Sequence, residues 1–129
     1  MAPLLLDTVT LIYVGRGRLQ VLAWLQRARA QGDILGVCPI VVTEILSNAR
    51  PREVQAIERL VASLEFWPIT LEDAVDAGTR RADLRAAGVQ TQITDALIAA
   101  VARRLGATVV SENVKDFVAL GVPVVDPGQ

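Results

Sequence analysis

The sequence contains no histidine. That absence excludes a Ser-His-Asp or Cys-His nucleophile pair, a histidine general base, an HExxH zinc site and a paired-histidine nuclease. Cys38 is the only cysteine, which rules out an internal disulfide and a cysteine-rich zinc site and suits a reducing compartment. Aromatic residues make up 4% of the chain, too few for the stacking platform of an RNA-recognition module. Neither sign of charge is in excess. Thirteen basic and 14 acidic side chains leave a net charge of −1, so nothing global marks a nucleic-acid binder. No uncharged run approaches the ~20 residues of a membrane-spanning helix, because Asp7 interrupts the first apolar stretch and Asp95, Arg103 and Arg104 interrupt ITDALIAAVARRL. The N-terminal stretch lacks the basic leader of a signal peptide, so a cytoplasmic protein without membrane association is the expectation. If such a chain performs hydrolysis, carboxylates are the instruments left, together with a hard cation.

What is present is apolar. The chain has 129 residues, 52% of them hydrophobic, with a mean hydropathy of +0.40. This length fits one domain over residues 1–129, and the apolar excess suggests a core plus a partner surface. Short apolar runs at Leu4–Leu6, Ile34–Cys38 and Thr108–Ser111 read as buried strands, with a last one at Val122–Val125. Phe66–Ile69 reads as a further short strand that its Pro68 confines to an edge. Between them lie helical patterns. Leu19, Leu22, Leu25 and Ala28 recur every three residues from Arg18 to Gln31, and Gly32 is placed to cap the end. A short helix through Val41, Val42, Ile45 and Leu46 carries Glu44, and Pro51 suits the first position of a helix reaching Leu64. Thr70 and Asp73 resemble a capping box that opens a helix to Ala87, with Gly88 beyond it. Thr94–Leu105 is a helix stopped by Gly106, and Val114–Leu120 gives one or two further turns. Strands alternating with helices imply an α/β fold, a three-layer α/β/α sandwich around a central parallel sheet. Ligands of such folds bind beyond the carboxyl ends of the strands, where strand order reverses.

Four acids fall at such ends. Asp7 follows the first strand, Glu44 lies on the helix after the second, Asp95 opens the long helix, and Asp116 follows the Thr108–Ser111 strand. Brought together they would repel, raising their pKa values unless a cation such as Mg²⁺ or Mn²⁺ neutralised them. Taken singly, Asp7, Asp95 and Asp116 read first as helix caps; Glu44, mid-helix at the edge of the apolar stripe, is less readily explained, with a solvated helix face as its alternative. Ser111, Asn113, Thr8 and Thr10 are placed to orient a carboxylate or to shape the turns. Residues 8–31 carry Arg16, Arg18, Arg27 and Arg29 and no acid, so near-neutrality can hide a basic rim for phosphates. Arg16 and Lys115, the only lysine, are candidate phosphate contacts, though solvated helix faces explain them equally well.

At this point the sequence resembles the PIN-domain family, in particular the VapC-type toxins of prokaryotic toxin–antitoxin pairs. The opening LLLDTVTLI resembles the family's first strand and its aspartate, and VVTEIL its second motif. The segment ITDALIAAVARRLGATVVSENVKDFVALGVPVV carries the most specific likeness: the DALIAA helix, a Thr/Ser-x-Asn turn and an Asp-Phe ending. The resemblance spans essentially the whole chain in order. It implies that Asp7, Glu44, Asp95 and Asp116 are catalytic and metal-binding, with Ser111 and Asn113 supporting them. It further implies a Mg²⁺- or Mn²⁺-dependent endoribonuclease cleaving RNA phosphodiesters by a metal-activated water, leaving a 5′-phosphate and a 3′-hydroxyl. A homodimer and a small antitoxin protein as partner are implied as well. The chain departs from the pattern at Val9, where the family usually has Ser or Asn, and at Glu112, where it often has a basic residue. Val9 keeps open an inert PIN-like binding module. A receiver-like phosphoacceptor domain wants paired acids after its first strand, and Asp7 has no acidic neighbour. An aspartyl phosphatase wants Asp-x-Asp, which Asp7-Thr8-Val9 does not supply.

Overall fold

The computed structural model of the protein describes residues 2–129. Five strands form one sheet: β1 (Pro3–Leu6), β2 (Ile34–Val37), β3 (Glu65–Phe66), β4 (Thr108–Val110) and β5 (Val124–Val125). Their order across the sheet is β3-β2-β1-β4-β5, and every neighbouring pair is parallel. Seven α-helices flank it: α1 (Thr8–Gly15), α2 (Leu19–Ala30), α3 (Pro39–Ser47), α4 (Val54–Ala62), α5 (Leu71–Ala86), α6 (Ile93–Leu105) and α7 (Val114–Ala119). The α/β/α sandwich read from the sequence is therefore the fold.

The central strands are short and apolar because both of their faces are covered. Leu4, Leu5, Leu6, Val37, Val109 and Val110 are all buried. Helix α6 buries Ala96, Ala99, Ala100 and Ala102 with Ile98 and Val101; its small side chains let it lie close against its neighbours. It stops where the sequence places its stop: Gly106 turns left-handed (φ 64°), and Ala107 N–H reaches back to Ala102 O at 2.8 Å.

On β2, Gly36 leaves room for the Trp67 ring. A Cβ at Gly36 would stand 2.4 Å from the nearest ring carbon. Gly36→Ala is expected to destabilise the fold by about 1–3 kcal/mol through overpacking, read as a lower urea midpoint with an unchanged slope.

Some elements differ from the sequence reading. Helix α1 is signalled in the sequence only by Asp7 as a suitable cap, because the β-branched Val9, Thr10, Ile12 and Val14 within it favour strands and obscure a helical pattern. Tertiary context overrides the preference: a chain leaving β1 must turn back along the sheet, and Asp7 caps the helix that does so. The strand placed at Phe66–Ile69 lies instead at Glu65–Phe66, ending two residues ahead of Pro68, and it is an edge strand as that proline requires. The Pro51 helix begins as a 3₁₀ turn, Pro51–Glu53, and ends at Ala62 rather than Leu64. The last strand is shorter than Val122–Val125, spanning Val124–Val125.

Candidate active site

The chain lays β2 and β3 on one side of β1, then crosses over to place β4 and β5 on the other. Strand order therefore reverses between β1 and β4, which is where an open parallel sheet forms a crevice beyond its carboxyl ends. Asp7 follows β1 at this point and Ser111 follows β4.

Asp7 is almost fully enclosed, at 2% exposure. Its Oδ1 accepts the Thr10 backbone N–H at 2.9 Å, making it the cap of α1, and its Oδ2 accepts the Ser111 hydroxyl. The Ser111 oxygen in turn accepts the Asn113 backbone N–H at 2.9 Å. Burial raises the Asp7 pKa; the bonds from Ser111 and Thr10 oppose that rise, and the Glu112 carboxylate adds to it, so the net direction is upward. Capping and site geometry coexist in this one residue, one oxygen serving each.

Glu44 is half-buried on α3, and the Thr8 hydroxyl donates to its Oε1 at 2.6 Å. Asp95 is half-buried in the first turn of α6, and Asp116 is exposed in the first turn of α7. The Asp95 carboxyl is pushed up to about 6, first by burial and then by the carboxylates of Asp7, Asp116 and Glu44. The other three acids singled out in the sequence thus all act on Asp95. No three of the acids among the described residues stand close enough to form a ready-made cation cage, as mutual repulsion favours.

The polar neighbours divide their work. Thr8 holds Glu44 and Ser111 holds Asp7, whereas the Thr10 hydroxyl donates to the Val110 carbonyl at 2.8 Å and ties α1 to β4. Asn113 contributes its backbone N–H and makes no side-chain cap on α7. Val9, half-buried, offers no polar group. Arg16 and Lys115 are both exposed. Arg16 rims a groove of about 790 Å³ floored by Leu11, Ile12, Ile45 and Ile57, with Arg50 and Arg52 on the same rim. Asn48 also lines that groove, and its side-chain amide donates to the Glu44 backbone carbonyl at 3.2 Å.

Sequence reasoning missed Tyr13. Its hydroxyl donates to Glu112 Oε1 at 2.7 Å, beside Ser111. The signal was hidden with α1 itself, because only a helix from Asp7 onward places residue 13 on the face that carries Thr10.

The donor chemistry suits a hard divalent cation. The acids and their hydroxyl neighbours offer oxygen alone. Cys38, the only thiol in the chain, is enclosed, and burial pushes its pKa up to about 11. A cation among the four acids would relieve the repulsion that raises Asp95.

Among solved structures, the chain is similar to DNA-bound VapBC from Salmonella typhimurium (22% identity, 98% of this chain and 99% of that one, TM-score 0.86). It is similar also to VapBC-1 from nontypeable Haemophilus influenzae (21% identity, 98% and 99%, TM-score 0.85). A third is VapBC2 from Rickettsia felis bound to a DNA fragment from its promoter (20% identity, 95% and 97%, TM-score 0.84). At these identities the likeness is one of fold. No curated protein matches the sequence. The model of the PIN domain matches residues 4–121. Since that match runs unbroken from β1 through the Glu44 and Asp95 helices to the end of α7, the chain belongs to the PIN-domain family.

Proposed function

We propose that this chain is a divalent-cation-dependent endoribonuclease and the toxin of a toxin–antitoxin pair. The observation that carries the reading is the Asp95 carboxyl, raised to about 6 by burial and by three further carboxylates. A fold keeps mutually repelling acids together when something else repays the strain, and in a crevice at a sheet's switch point a bound cation is the physical candidate. Family membership and the likeness to VapBC structures support the same reading.

In it, Asp7, Glu44, Asp95 and Asp116 hold Mg²⁺ or Mn²⁺, with Ser111 orienting Asp7 and Thr8 orienting Glu44. Thr10 and Asn113 brace the turns that present those carboxylates. When bound, the cation supplies Lewis acidity at the scissile phosphate and lowers the pKa of the attacking water. Arg16 and Lys115 meet flanking phosphates of the RNA. The protein acts in the cytoplasm as a homodimer of one domain per chain, and a small antitoxin protein silences it. Val9 favours one second reading, a PIN-like module that binds without cleaving.

RNA cleavage by wild type and Asp116→Asn, each with Mn²⁺ and with EDTA, separates the two. Cleavage is expected from wild type with Mn²⁺ alone, and Asp116→Asn should lose on the order of 10²-fold or more. Equal cleavage in all four conditions overturns the cation mechanism. A folded wild type that neither cleaves nor gains thermal stability from Mn²⁺ is the inert module.

A further inference from the structure

A second set of contacts ties α1 to the loop after β4, just outside the acids. The Tyr13 hydroxyl donates to Glu112 Oε1 at 2.7 Å, and the Arg18 guanidinium lies 4.3 Å from the centre of the Tyr13 ring. Residues 10 and 13 share a face of α1, so Tyr13 stands one turn beyond the N–H that caps onto Asp7. Glu112 neighbours Ser111, whose hydroxyl bonds the other oxygen of Asp7. The same two segments are thus clamped twice, once through Asp7 and once through Tyr13.

Glu112 is the acid the site does not use. It is exposed, and its carboxylate acts on Asp7; the carboxylates that act on Asp95 are those of Asp7, Asp116 and Glu44, and Glu112 is not among them. An exposed glutamate one residue from Ser111 has the reach to turn toward its neighbours. The hydrogen-bond partner of its carboxylate is the Tyr13 hydroxyl.

We infer that Tyr13 is a positioning residue: its hydroxyl keeps Glu112 on the outer side of Asp7 and so keeps a fifth carboxylate out of the group centred on Asp95. A fifth carboxylate there would strengthen the attraction for cations and oppose the approach of a phosphate. Arg18 over the ring adds a cation–π contact that helps fix the phenol in place.

Tyr13 is the only tyrosine, so the ultraviolet absorbance of ionised phenol reports on it alone. The carboxylate partner raises its pKa above the ordinary phenol value, and Glu112→Gln should move the titration midpoint down. An unchanged midpoint overturns the inference at its base, and this measurement needs neither cation nor RNA. Calorimetry with Mn²⁺ tests the consequence. Tyr13→Phe keeps the ring under Arg18 and removes only the hydroxyl; it should tighten Mn²⁺ binding about fivefold. In the Glu112→Gln background the same change should do nothing, because no carboxylate is left to release. A Tyr13→Phe effect that is absent, or equally large without Glu112, overturns the inference.

The calorimetry rests on the cation site of the proposed function and the cleavage arm on its nuclease chemistry; the phenol titration rests on neither. In the cleavage arm Tyr13→Phe should raise KM for RNA several-fold with little change in kcat, and Glu112→Gln should restore it. If wild type cleaves no RNA while the titration and calorimetry go as expected, the nuclease reading falls and the role of Tyr13 stands.

Discussion

Replacing Asp95 with asparagine is expected to abolish cation-dependent cleavage and, in the same protein without cation, to raise stability at neutral pH. The two effects have one cause. The Asp95 carboxyl titrates at about 6 in the folded chain and near the ordinary aspartate value of ~4 once unfolded. At pH 7 the folded state therefore carries a charge that the unfolded state carries more comfortably, a cost on the order of 2 kcal/mol. Protonation removes that cost. Because the folded state binds the proton more tightly, stability from this group rises as pH falls through 6 and levels off below about 4. Thermal unfolding in EDTA should show wild type gaining stability from pH 7 to 5 relative to Asp95→Asn, with the variant melting several degrees higher at pH 7. Added Mn²⁺ should stabilise wild type and leave the variant nearly unmoved. Had Asp95 been only a dipole-favoured acid in the first turn of α6, the amide would cost stability at pH 7 instead. A variant that melts lower than wild type in EDTA at pH 7 would sink the interpretation.

Burial alone does not distinguish the two aspartates, Asp95 and Asp7. Asp7 is more deeply enclosed than Asp95, yet its carboxylate receives the Ser111 hydroxyl and the Thr10 N–H, which return part of what burial takes. For Asp95 nothing opposes burial and three neighbouring carboxylates; every named influence on it raises its pKa. An acid left uncompensated at a sheet's switch point is the one whose charge the fold tolerates rather than uses.

Much of this was legible in the sequence, and what was not has definite physical causes. Helices with a clear cap or stop were placed within a residue or two: α2 with Gly32 after it, α5 behind the reciprocal Thr70–Asp73 bonds, and α6 with Gly106 at its end. Strands β1, β2 and β4 showed as short apolar runs because burial on both faces leaves no other pattern. The order of four acids was readable because each sits directly after a strand or on the helix that follows or precedes one. Helix α1 showed only through Asp7 as a suitable cap, since its β-branched residues obscure the helical pattern and the return path along the sheet makes it helical. With α1 went the Tyr13–Glu112 contact, and with it the Thr10 link to Val110, which joins residues 100 apart in sequence. Long-range pairings of that kind leave no spacing for a sequence pattern to show.

The acid group also depends on a part of the molecule that touches none of its carboxylates. Helix α6 carries Asp95 at one end and Arg103 and Arg104 at the other, and the arginines bolt it to α5. Arg103 pairs with Asp76 at 2.6 Å and donates to the Leu120 carbonyl at 2.6 Å; Arg104 Nε lies 3.0 and 3.1 Å from the two oxygens of Asp73. Asp73 is 2% exposed, and its Oδ2 also accepts the Thr70 N–H at 2.9 Å. Burial raises its pKa, but Arg104 and the Thr70 bonds outweigh burial and hold the carboxyl below its ordinary value. Such a group stabilises the fold above the unfolded value near 4, and the contribution is lost as pH falls below it. Asp73→Ala removes the cap and leaves Arg104 without its carboxylate. The expected loss at pH 7 is about 2–4 kcal/mol, moderated because Arg104 is partly in water. Asp73→Asn should lose less, since its amide oxygen still accepts from Thr70. As pH falls through the lowered folded value of Asp73 the three proteins should draw together, because wild type then surrenders the same charge. Urea unfolding from pH 7 down through the acid range measures this. Mn²⁺ affinity at pH 7 should stay within about twofold of wild type in the folded variants, as Asp73 is not among the carboxylates acting on Asp95. If Asp73→Ala weakens Mn²⁺ as strongly as it weakens the fold, the α5–α6 clamp sets the geometry of the acids directly; if stability alone falls, the clamp only carries the helix that presents Asp95.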